Sequence, residues 1–279
     1  MEAVITLTTD FGLSDAYVAA MKGVILSINP RARLVDVCHS IRPYDIKEAA
    51  FIFSTAFEFF PAETIHLVIV DPGVGTGRRA VILKTPSAYF IAPDNGVLTY
   101  VAQPFLTCFD FAEEAAGTHQ VEFRPEMEAV VITNPRFWRS PVSPTFHGRD
   151  VFAPVAAHLS LGQPLADFGE RLTSISALSM PRPRQETDGS IVGHIIHIDN
   201  FGNLITDIRG ADIAGPTVTV EIGRRLISGL SHTYASTREL ALIIGSSGYL
   251  EIALSRGNAA RLLKAKVGDE IRARYLSGG

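Results

Sequence analysis

The run TIHLVIV at residues 64–70 is the strongest strand signal in the chain and restricts its fold more than any other feature. A strand in which nearly every residue is apolar is typical of a central strand whose sheet is covered on both faces. Two other strand-like runs, at residues 4–9 and 33–37, are each followed by apolar residues at helical spacing, at residues 15–28 and 45–59. Alternating strands and helices predict an α/β fold with a mostly parallel central sheet between helices.

The character of the sequence changes near residue 180, where MPRPRQETDG at residues 180–189 is rich in proline and polar residues, as linkers are. The short alternating runs that follow are punctuated by glycine and predict a small antiparallel barrel or sandwich. We therefore expect an N-terminal α/β domain over residues 1–178, a linker over residues 179–190 and a smaller all-β domain over residues 191–279. The strands predicted in the second domain span residues 191–198, 217–222, 240–244, 249–254 and 270–275, and one helix spans residues 259–265.

Composition limits the partners that the chain can have. Hydrophobic residues make up 47% of its 279 residues and charged residues 19%, which allows a substantial core. The net charge is −4 and there is no basic block, so we expect no nucleic-acid partner. No apolar run approaches the roughly 20 residues that a membrane span needs, and the first residues lack the basic and apolar regions of a signal peptide. We therefore expect a cytoplasmic protein without a membrane partner.

The sequence contains no recognisable metal-binding pattern. The two cysteines, Cys38 and Cys108, stand beside apolar residues and show no CxxC spacing, so we predict that both are small core residues. None of the eight histidines belongs to an HExxH or similar pair. We therefore expect neither a metal site nor a bound cofactor.

Two acidic residues, Asp10 and Asp71, each follow directly after a predicted strand. Ligands of open α/β sheets bind outside the carboxyl ends of the strands, so both residues are candidates for one site, although aspartate also caps helices and starts turns. Asp71 opens the segment DPGVGTGRR, whose glycines allow a tight turn that would bring Arg78 or Arg79 back toward Asp71. The segment matches neither the phosphate loop nor the dinucleotide fingerprint, and the alternative is a plain surface turn.

Other polar and aromatic side chains also lie in predicted loops. His147 lies in TFHGRD at residues 145–150, before an apolar helix predicted over residues 151–161, and the partial positive charge of a helix start favours a neutral imidazole. A neutral histidine acts as a base or accepts a hydrogen bond, whereas the alternative is a solvated loop residue. The segment DNFGN at residues 199–203 combines a ring, amides and a carboxylate, which suits a polar planar or amino-acid ligand, or else forms an ordinary turn.

Six motifs occur in a defined order along the chain. They are TTDFG (8–12), DPGVGT (71–76), PDNG (93–96), FHGRD (146–150), DNFGN (199–203) and GSSGYL (245–250). Together they resemble the motifs of the S-adenosylmethionine (SAM) hydrolase family, also called SAM hydroxide adenosyltransferases, and the resemblance extends over essentially the whole chain. That family is related to the fluorinases and chlorinases, which join a halide to the same carbon of SAM.

The resemblance implies a reaction and an assembly. Members of the family convert SAM and water to adenosine and L-methionine without a metal or cofactor. They are homotrimers in which SAM binds between the N-terminal α/β domain of one subunit and the small C-terminal β-barrel of its neighbour. The catalytic aspartate, arginine and histidine of the family correspond here to Asp71, Arg78 and His147. Arg78 would position a water molecule for attack on the ribose C5′, and Asp71 or His147 would take its proton.

The resemblance also implies substrate-binding roles. Asp10 would bind the ribose hydroxyls, and Asp199 and Ser247 would bind the ammonium and carboxylate of the methionine part. Tyr44 would pack along the ligand where the halogenases carry tryptophan, and Ser247 stands where they carry arginine. The PDNG segment by itself indicates a structural turn, but its Asn95 is included among the binding residues. The residues implied around the adenine are Phe201, Asn203, Tyr234, Asn258 and Ala259.

Two alternative functions stay open. A halogenase would share the fold and use chloride as its nucleophile, but the related halogenases carry different residues at the positions of Asp71 and His147, so the sequence favours water. A non-catalytic sensor of SAM or adenosine would keep the binding pocket. Such a sensor would have no need of an intact Asp71, Arg78 and His147.

Overall fold

A computed structural model of the chain describes residues 2–107, 117–125, 127–180, 182–213, 218–234 and 239–275. The chain forms two compact units, Met1–Ser179 and Met180–Gly279. Cys38 is partly buried and packs against the hydrophobic core, whereas Cys108 lies outside the described residues. Within the part of the chain that is described, no helix is both long enough and apolar enough to cross a membrane.

The N-terminal unit is a mixed α/β structure. Its strands are β1 (Val4–Thr9), β2 (Arg33–Cys38), β3 (Thr64–Ile69), β4 (Ala80–Lys84), β5 (Ala88–Pro93), β6 (Thr118–Glu122), β7 (Glu128–Val131) and β8 (Ser174–Leu178), and its helices are α1 (Tyr17–Ile28), α2 (Ile46–Ser54), α3 (Thr99–Ala102) and α4 (Ala153–Ser160). A six-stranded sheet has the order β2-β1-β3-β5-β4-β7, and β6 pairs with β8 in a separate two-stranded sheet.

The central sheet is mixed. The β2–β1, β1–β3 and β3–β5 pairings are parallel, as the alternation of strands and helices predicts. The β5–β4 and β4–β7 pairings are antiparallel, which the sequence analysis did not foresee. Only residues 85–87 separate β4 from β5, and a parallel crossover needs a dozen residues or more, so these two strands form a hairpin.

Strand β3 lies at the centre of the sheet, and all its residues are buried. Ile65, Leu67 and Ile69 belong to a core cluster that includes residues of α1 and α4. Val68 and Val70 face the opposite way and belong to a second cluster with residues of α2 and α3. Because successive side chains of a strand point to opposite faces, the apolar run of β3 contributes to both cores.

Two helices differ from the sequence prediction. The helix predicted over residues 45–59 ends at Ser54, and a short 3-10 turn at Phe57–Phe59 follows it. The start of this helix is stabilised by Asp45, whose side chain accepts a hydrogen bond from the Glu48 amide. The helix predicted from residue 151 instead begins with a π-helical turn at Gly148–Phe152 that leads into α4. Such turns often occur at functional sites.

The C-terminal unit is dominated by antiparallel strands. They are β9 (Arg184–Gln185), β10 (Ile191–Ile198), β11 (Leu204–Arg209), β12 (Val218–Ile222), β13 (Arg225–Ser228), β14 (Leu240–Ile244), β15 (Tyr249–Leu254) and β16 (Glu270–Tyr275), together with the helix α5 (Ala259–Leu263). The order β13-β12-β16-β10-β11-β15-β14 is nearly closed, because a bridge between Leu230 and Leu242 connects the two ends. Strand β9 lies within the predicted linker and pairs with β10.

Candidate active site

Two consecutive turns fold residues 71–79, here called the 71–79 loop, directly after β3. The Val74 amide donates to the Asp71 carbonyl over 3.2 Å. The Thr76 amide and hydroxyl both donate to the Gly73 carbonyl, over 3.1 Å and 2.6 Å. The loop therefore reverses the chain and returns its second half to the carboxyl end of β3.

The reversal places Arg78 on the carboxylate of Asp71. Arg78 Nε lies 2.9 Å from Oδ1 and 3.0 Å from Oδ2, and Nη2 also donates to Oδ2. The guanidinium lies over the ring of Phe152, 5.0 Å from its centre. The two side chains are only 12% and 7% exposed, so this charge-assisted pair is shielded from water and held in one orientation.

Arg79, the other arginine considered from the sequence, points elsewhere. Its Nε donates to Asp94 Oδ2 over 2.8 Å, and Asp94 Oδ1 accepts from the Ser176 amide over 2.7 Å. The turn at residues 93–96 is thereby attached to β8. Asn95 belongs to this turn and uses its side-chain amide to hold the Val70 carbonyl, over 2.8 Å, at the entry to the 71–79 loop.

His147 completes a hydrogen-bonded group of three side chains. Its Nδ1 lies 3.2 Å from Arg78 Nη2. Since a guanidinium can only donate, Nδ1 must accept, and the neutral ring therefore carries its proton on Nε2. Burial, followed by the positive charge of Arg78, lowers the pKa of His147 below its ordinary value and favours this neutral form.

The loop that carries His147 is packed against the 71–79 loop. Gly75 has φ +78°, and a Cβ atom at this position would lie 2.5 Å from the Pro144 carbonyl oxygen. Only glycine adopts this backbone conformation readily and also leaves room for the carbonyl. The close contact of the two loops brings together the side chains of Arg78 and His147, which are 69 residues apart in the chain.

Asp150 anchors the loop that carries His147. The residue is fully buried, and its Oδ2 accepts from the Ser143 amide over 2.9 Å. Arg149 donates to both carboxylate oxygens, over 2.7 Å and 2.8 Å, and Arg139 donates to Oδ1 over 3.3 Å. Burial opposes the charge, but these hydrogen bonds outweigh it and lower the pKa of Asp150. Asp150 belongs to the motif FHGRD, but its role was not predicted, because burial of a charge cannot be read from spacing.

We expect Asp150→Asn to destabilise the fold. The variant would place an amide NH₂ group against the Arg149 guanidinium and lose the charge-assisted bonds, at a cost of roughly 2–3 kcal/mol in the free energy of unfolding. Urea denaturation measures this change. Glu58→Gln, which removes a negative charge at an exposed position, is the matched control and should stay within about 0.5 kcal/mol. An Asp150→Asn variant as stable as this control would contradict the anchoring role.

Asp10 lies at the end of β1, and its Oδ2 accepts from the Tyr44 amide over 2.8 Å. The turn that carries it is braced by the Thr9 hydroxyl, which lies 2.9 Å from Nδ1 of the buried His39. Burial raises the pKa of Asp10, and the nearby charge of Asp71 adds to the effect. The two acids therefore share one electrostatic environment. The Tyr44 ring is 72% exposed, and its backbone has φ +69°.

The C-terminal unit holds its predicted site residues around a tight turn. Asp199 Oδ1 accepts from the Phe201 and Asn203 amides, each over 2.9 Å, and Oδ2 accepts from the Asn203 side chain over 2.8 Å. The Phe201 ring is 73% exposed. Asn258 caps α5 by accepting a backbone amide over 2.7 Å, and the Ala259 side chain is fully buried. This burial includes the backbone of Ala259 as well as its side chain.

Tyr234 and Ser247 are the other predicted site residues of this unit. Tyr234 donates from its hydroxyl to Glu251 Oε2 over 2.9 Å, and Ser247 lies partly buried in the connection between β14 and β15. Glu251 was not among the residues predicted from the sequence. The available signal was the single acidic residue within the strand-like run YLEIAL.

Within the residues that the structure describes, no group of three or more histidine, cysteine, aspartate or glutamate side chains is arranged to hold a metal ion. Asp71 uses its carboxylate oxygens for Arg78, and His147 uses Nδ1 for the same guanidinium. The polar groups of the N-terminal site therefore bind one another.

A mixed α/β sheet that carries a hydrogen-bonded acid, arginine and histidine beside its strand ends is the framework of an enzyme site. The chain belongs to the SAM hydroxide adenosyltransferase family, whose N-terminal domain model matches residues 5–169 and whose C-terminal domain model matches residues 193–272. The resemblance inferred from the six motifs is thereby confirmed.

Relatives in this family include both hydrolases and halogenases. A protein of Salinispora tropica named (R)-S-adenosyl-L-methionine hydrolase is 36% identical over 272 residues, which cover 96% of each chain. A fluorinase of Nocardia brasiliensis is 28% identical, again with 96% of each chain covered. The crystal structure of an uncharacterised conserved protein from Thermotoga maritima superposes with a TM-score of 0.82 at 37% identity, covering 96% of this chain and 99% of that one. The chain is thus more similar to the named hydrolase than to the fluorinase.

Proposed function

We propose that the chain hydrolyses SAM to adenosine and L-methionine. The observation that carries this proposal is the contact of Asp71, Arg78 and His147 in a chain whose named hydrolase relatives are 32–36% identical to it over nearly their whole length. The names of those relatives carry the prefix (R), so we further propose that the R epimer at the sulfonium is the preferred substrate.

The chemistry of SAM determines which catalytic groups the reaction needs. The sulfonium leaves as a neutral thioether, so no general acid is required, and the weak nucleophile is the main obstacle. A water oxygen forms the new bond to the ribose C5′ while the C5′–S bond breaks and sulfur keeps the electron pair. Arg78 positions the water and stabilises hydroxide character, because preorganised donors favour developing negative charge.

Asp71 is the base that we propose for the proton of this water. Neutral His147 already accepts from Arg78 at Nδ1, so its Nε2–H is a donor and has no free lone pair for a proton. Asp71 Oδ1 accepts one hydrogen bond from Arg78 and, as a carboxylate oxygen, can accept another. His147 then orients the water or the guanidinium and does not remove the proton.

The pH dependence of turnover should show one acid limb due to His147. Burial and the charge of Arg78 lower the pKa of His147, so the ring gains its proton at a lower pH than an ordinary histidine does. The imidazolium would lose its Nδ1 acceptor and place a second cation beside Arg78, so the rate should fall in that range. In His147→Gln, whose amide oxygen still accepts but does not titrate there, the limb should move to lower pH. An unchanged limb in this variant would assign it to another group.

We propose that the remaining predicted residues bind the substrate as the family resemblance implies. In the N-terminal unit, Asp10 binds the ribose hydroxyls and Tyr44 packs along the ligand, while Asn95 acts through the entry to the 71–79 loop. In the C-terminal unit, Asp199 and Ser247 bind the methionine part. The proposed adenine-binding residues are Phe201, Asn203, Tyr234, Asn258 and the backbone of Ala259.

We also propose a homotrimer in which the N-terminal unit of one subunit and the C-terminal unit of its neighbour hold the substrate. Exposed large side chains support it, because Leu13 and the proposed binding residues Tyr44 and Phe201 are 72–74% exposed. A strict monomer that is fully active at micromolar concentration would contradict this assembly. The cytoplasm remains the compartment that we propose on the sequence alone.

A chromatographic assay tests the function and separates it from its alternatives. Purified protein is incubated with each sulfonium epimer of SAM, with and without chloride and a chelator. We expect adenosine and methionine in every case, faster from the R epimer and at the same rate with the chelator, since we propose that no metal or cofactor takes part. If 5′-chloro-5′-deoxyadenosine is the main product, the protein is a halogenase. If SAM binds by calorimetry but no adenosine forms over hours, it is a sensor.

A further inference from the structure

Glu251 is a buried carboxylate in β15 that has no role in the proposed reaction. The residue is 6% exposed, and its Oε2 accepts from the Tyr234 hydroxyl over 2.9 Å. Tyr234 itself is 47% exposed. The hydrogen bond from the Tyr234 hydroxyl to this buried strand residue restricts the orientation of the Tyr234 ring.

The same carboxylate also contacts the connection between β14 and β15. A Cβ atom at Gly245 would lie 1.7 Å from Glu251 Oε1, so the carboxylate occupies the space that any side chain at this position would need. Gly245 begins the turn that contains Ser247, which the Gly248 amide closes by donating to the Gly245 carbonyl over 2.9 Å. One buried side chain therefore touches two segments that carry proposed substrate-binding residues.

The electrostatics support an acceptor role for Glu251. Burial, and then the hydrogen bond to Glu251, raises the pKa of Tyr234 to about 12, so the phenol stays protonated and donates. Burial also raises the pKa of Glu251, and the charge of Asp199 adds to this effect. Asp199, Tyr234 and Glu251 therefore lie close enough to influence one another.

We propose that Glu251 is a positioning residue that holds Tyr234 and the Ser247 turn in the arrangement that binds the substrate. The inference rests on the proposed function, because it takes Tyr234 to contact the adenine and Ser247 the methionine carboxylate. Glu251 acts through these groups and does not touch the reacting atoms. Its loss should therefore weaken substrate binding and leave the chemical step intact.

A double-mutant cycle with Glu251→Ala and Tyr234→Phe tests the proposal. Steady-state kinetics and calorimetry with SAM are measured for each single variant, the double variant, Glu251→Gln and wild type. We expect Glu251→Ala to raise KM and Kd about tenfold, as losing a hydrogen bond to a charged group does, with kcat within about threefold. The double variant should be no worse than Glu251→Ala, and Glu251→Gln, which keeps an acceptor oxygen, should recover most of the loss.

Other outcomes would overturn the proposal. They are an unchanged KM in Glu251→Ala, a loss confined to kcat, or single-variant effects that multiply in the double variant. Glu221→Gln, which removes a half-exposed acid of β12 from the same unit, is the control and should leave KM unchanged. If Glu251→Ala does not fold, Glu251→Gln and Tyr234→Phe form the cycle. If the wild type releases no adenosine, the proposed function is refuted. The Kd values for SAM measured by calorimetry then test the positioning role of Glu251 separately.

Discussion

Replacing Asp71 with asparagine should lower kcat by ~10²–10⁴-fold while SAM still binds, because this range is usual for the loss of a general base. The asparagine would keep the size of the side chain but could not take the proton of the attacking water. Its NH₂ group would also disturb the contact with Arg78, whose Nε now lies 2.9 Å from Oδ1. Single-turnover kinetics together with calorimetry separate the chemical step from binding.

Asp94→Asn is the matched control for this variant. Asp94 pairs with Arg79 much as Asp71 pairs with Arg78, but at the turn that is attached to β8. Breaking the Asp94 pair should cost stability and leave kcat within about tenfold of wild type. If Asp71→Asn and Asp94→Asn reduced kcat equally, Asp71 would be a structural residue. If His147→Gln lost more activity than Asp71→Asn, the histidine would be the base.

Gly75→Ala should lower kcat by about 10²-fold, although no reacting group is removed. At φ +78° an added Cβ would lie 2.5 Å from the Pro144 carbonyl oxygen, so the loop of His147 and the 71–79 loop would have to move apart. A misplacement of about 1 Å in a catalytic group can cost this much. Turnover is measured beside thermal unfolding, which reports whether the variant is folded.

Gly77→Ala in the same loop provides the comparison. A Cβ at Gly77 meets no atom within 4 Å, and this glycine has no left-handed backbone conformation. The variant should therefore retain turnover within about threefold of wild type. Equal losses in Gly75→Ala and Gly77→Ala would mean that general loop flexibility, and not the contact with Pro144, keeps the three side chains together.

The sequence allowed the main elements to be predicted because they rest on local patterns. The all-apolar run of β3 and the alternating runs of β10, β14, β15 and β16 lie where the sequence analysis placed them. The antiparallel β4 and the π-helical turn at Gly148–Phe152 were not predicted. The direction of β4 depends on its short connection to β5, and the π-helical turn depends on the packing around it. Neither feature therefore has a periodic signal in the sequence.

The sequence named individual residues for the candidate site but did not give their geometry. Spacing left Arg78 and Arg79 as equal candidates for the contact with Asp71, and only the folded turn shows that Arg78 makes it. The contact of Arg78 with His147 joins distant segments, which no local pattern reveals. Glu251 was missed because its importance depends on burial and on the neighbouring Tyr234.

The source of the new oxygen in the nucleoside tests the central claim most directly. The protein is incubated with SAM in water enriched in oxygen-18, and the products are examined by mass spectrometry. If a water molecule held by Arg78 and Asp71 attacks the ribose C5′, the label appears in adenosine and not in methionine. Label in methionine, or a nucleoside product without label, would contradict the account.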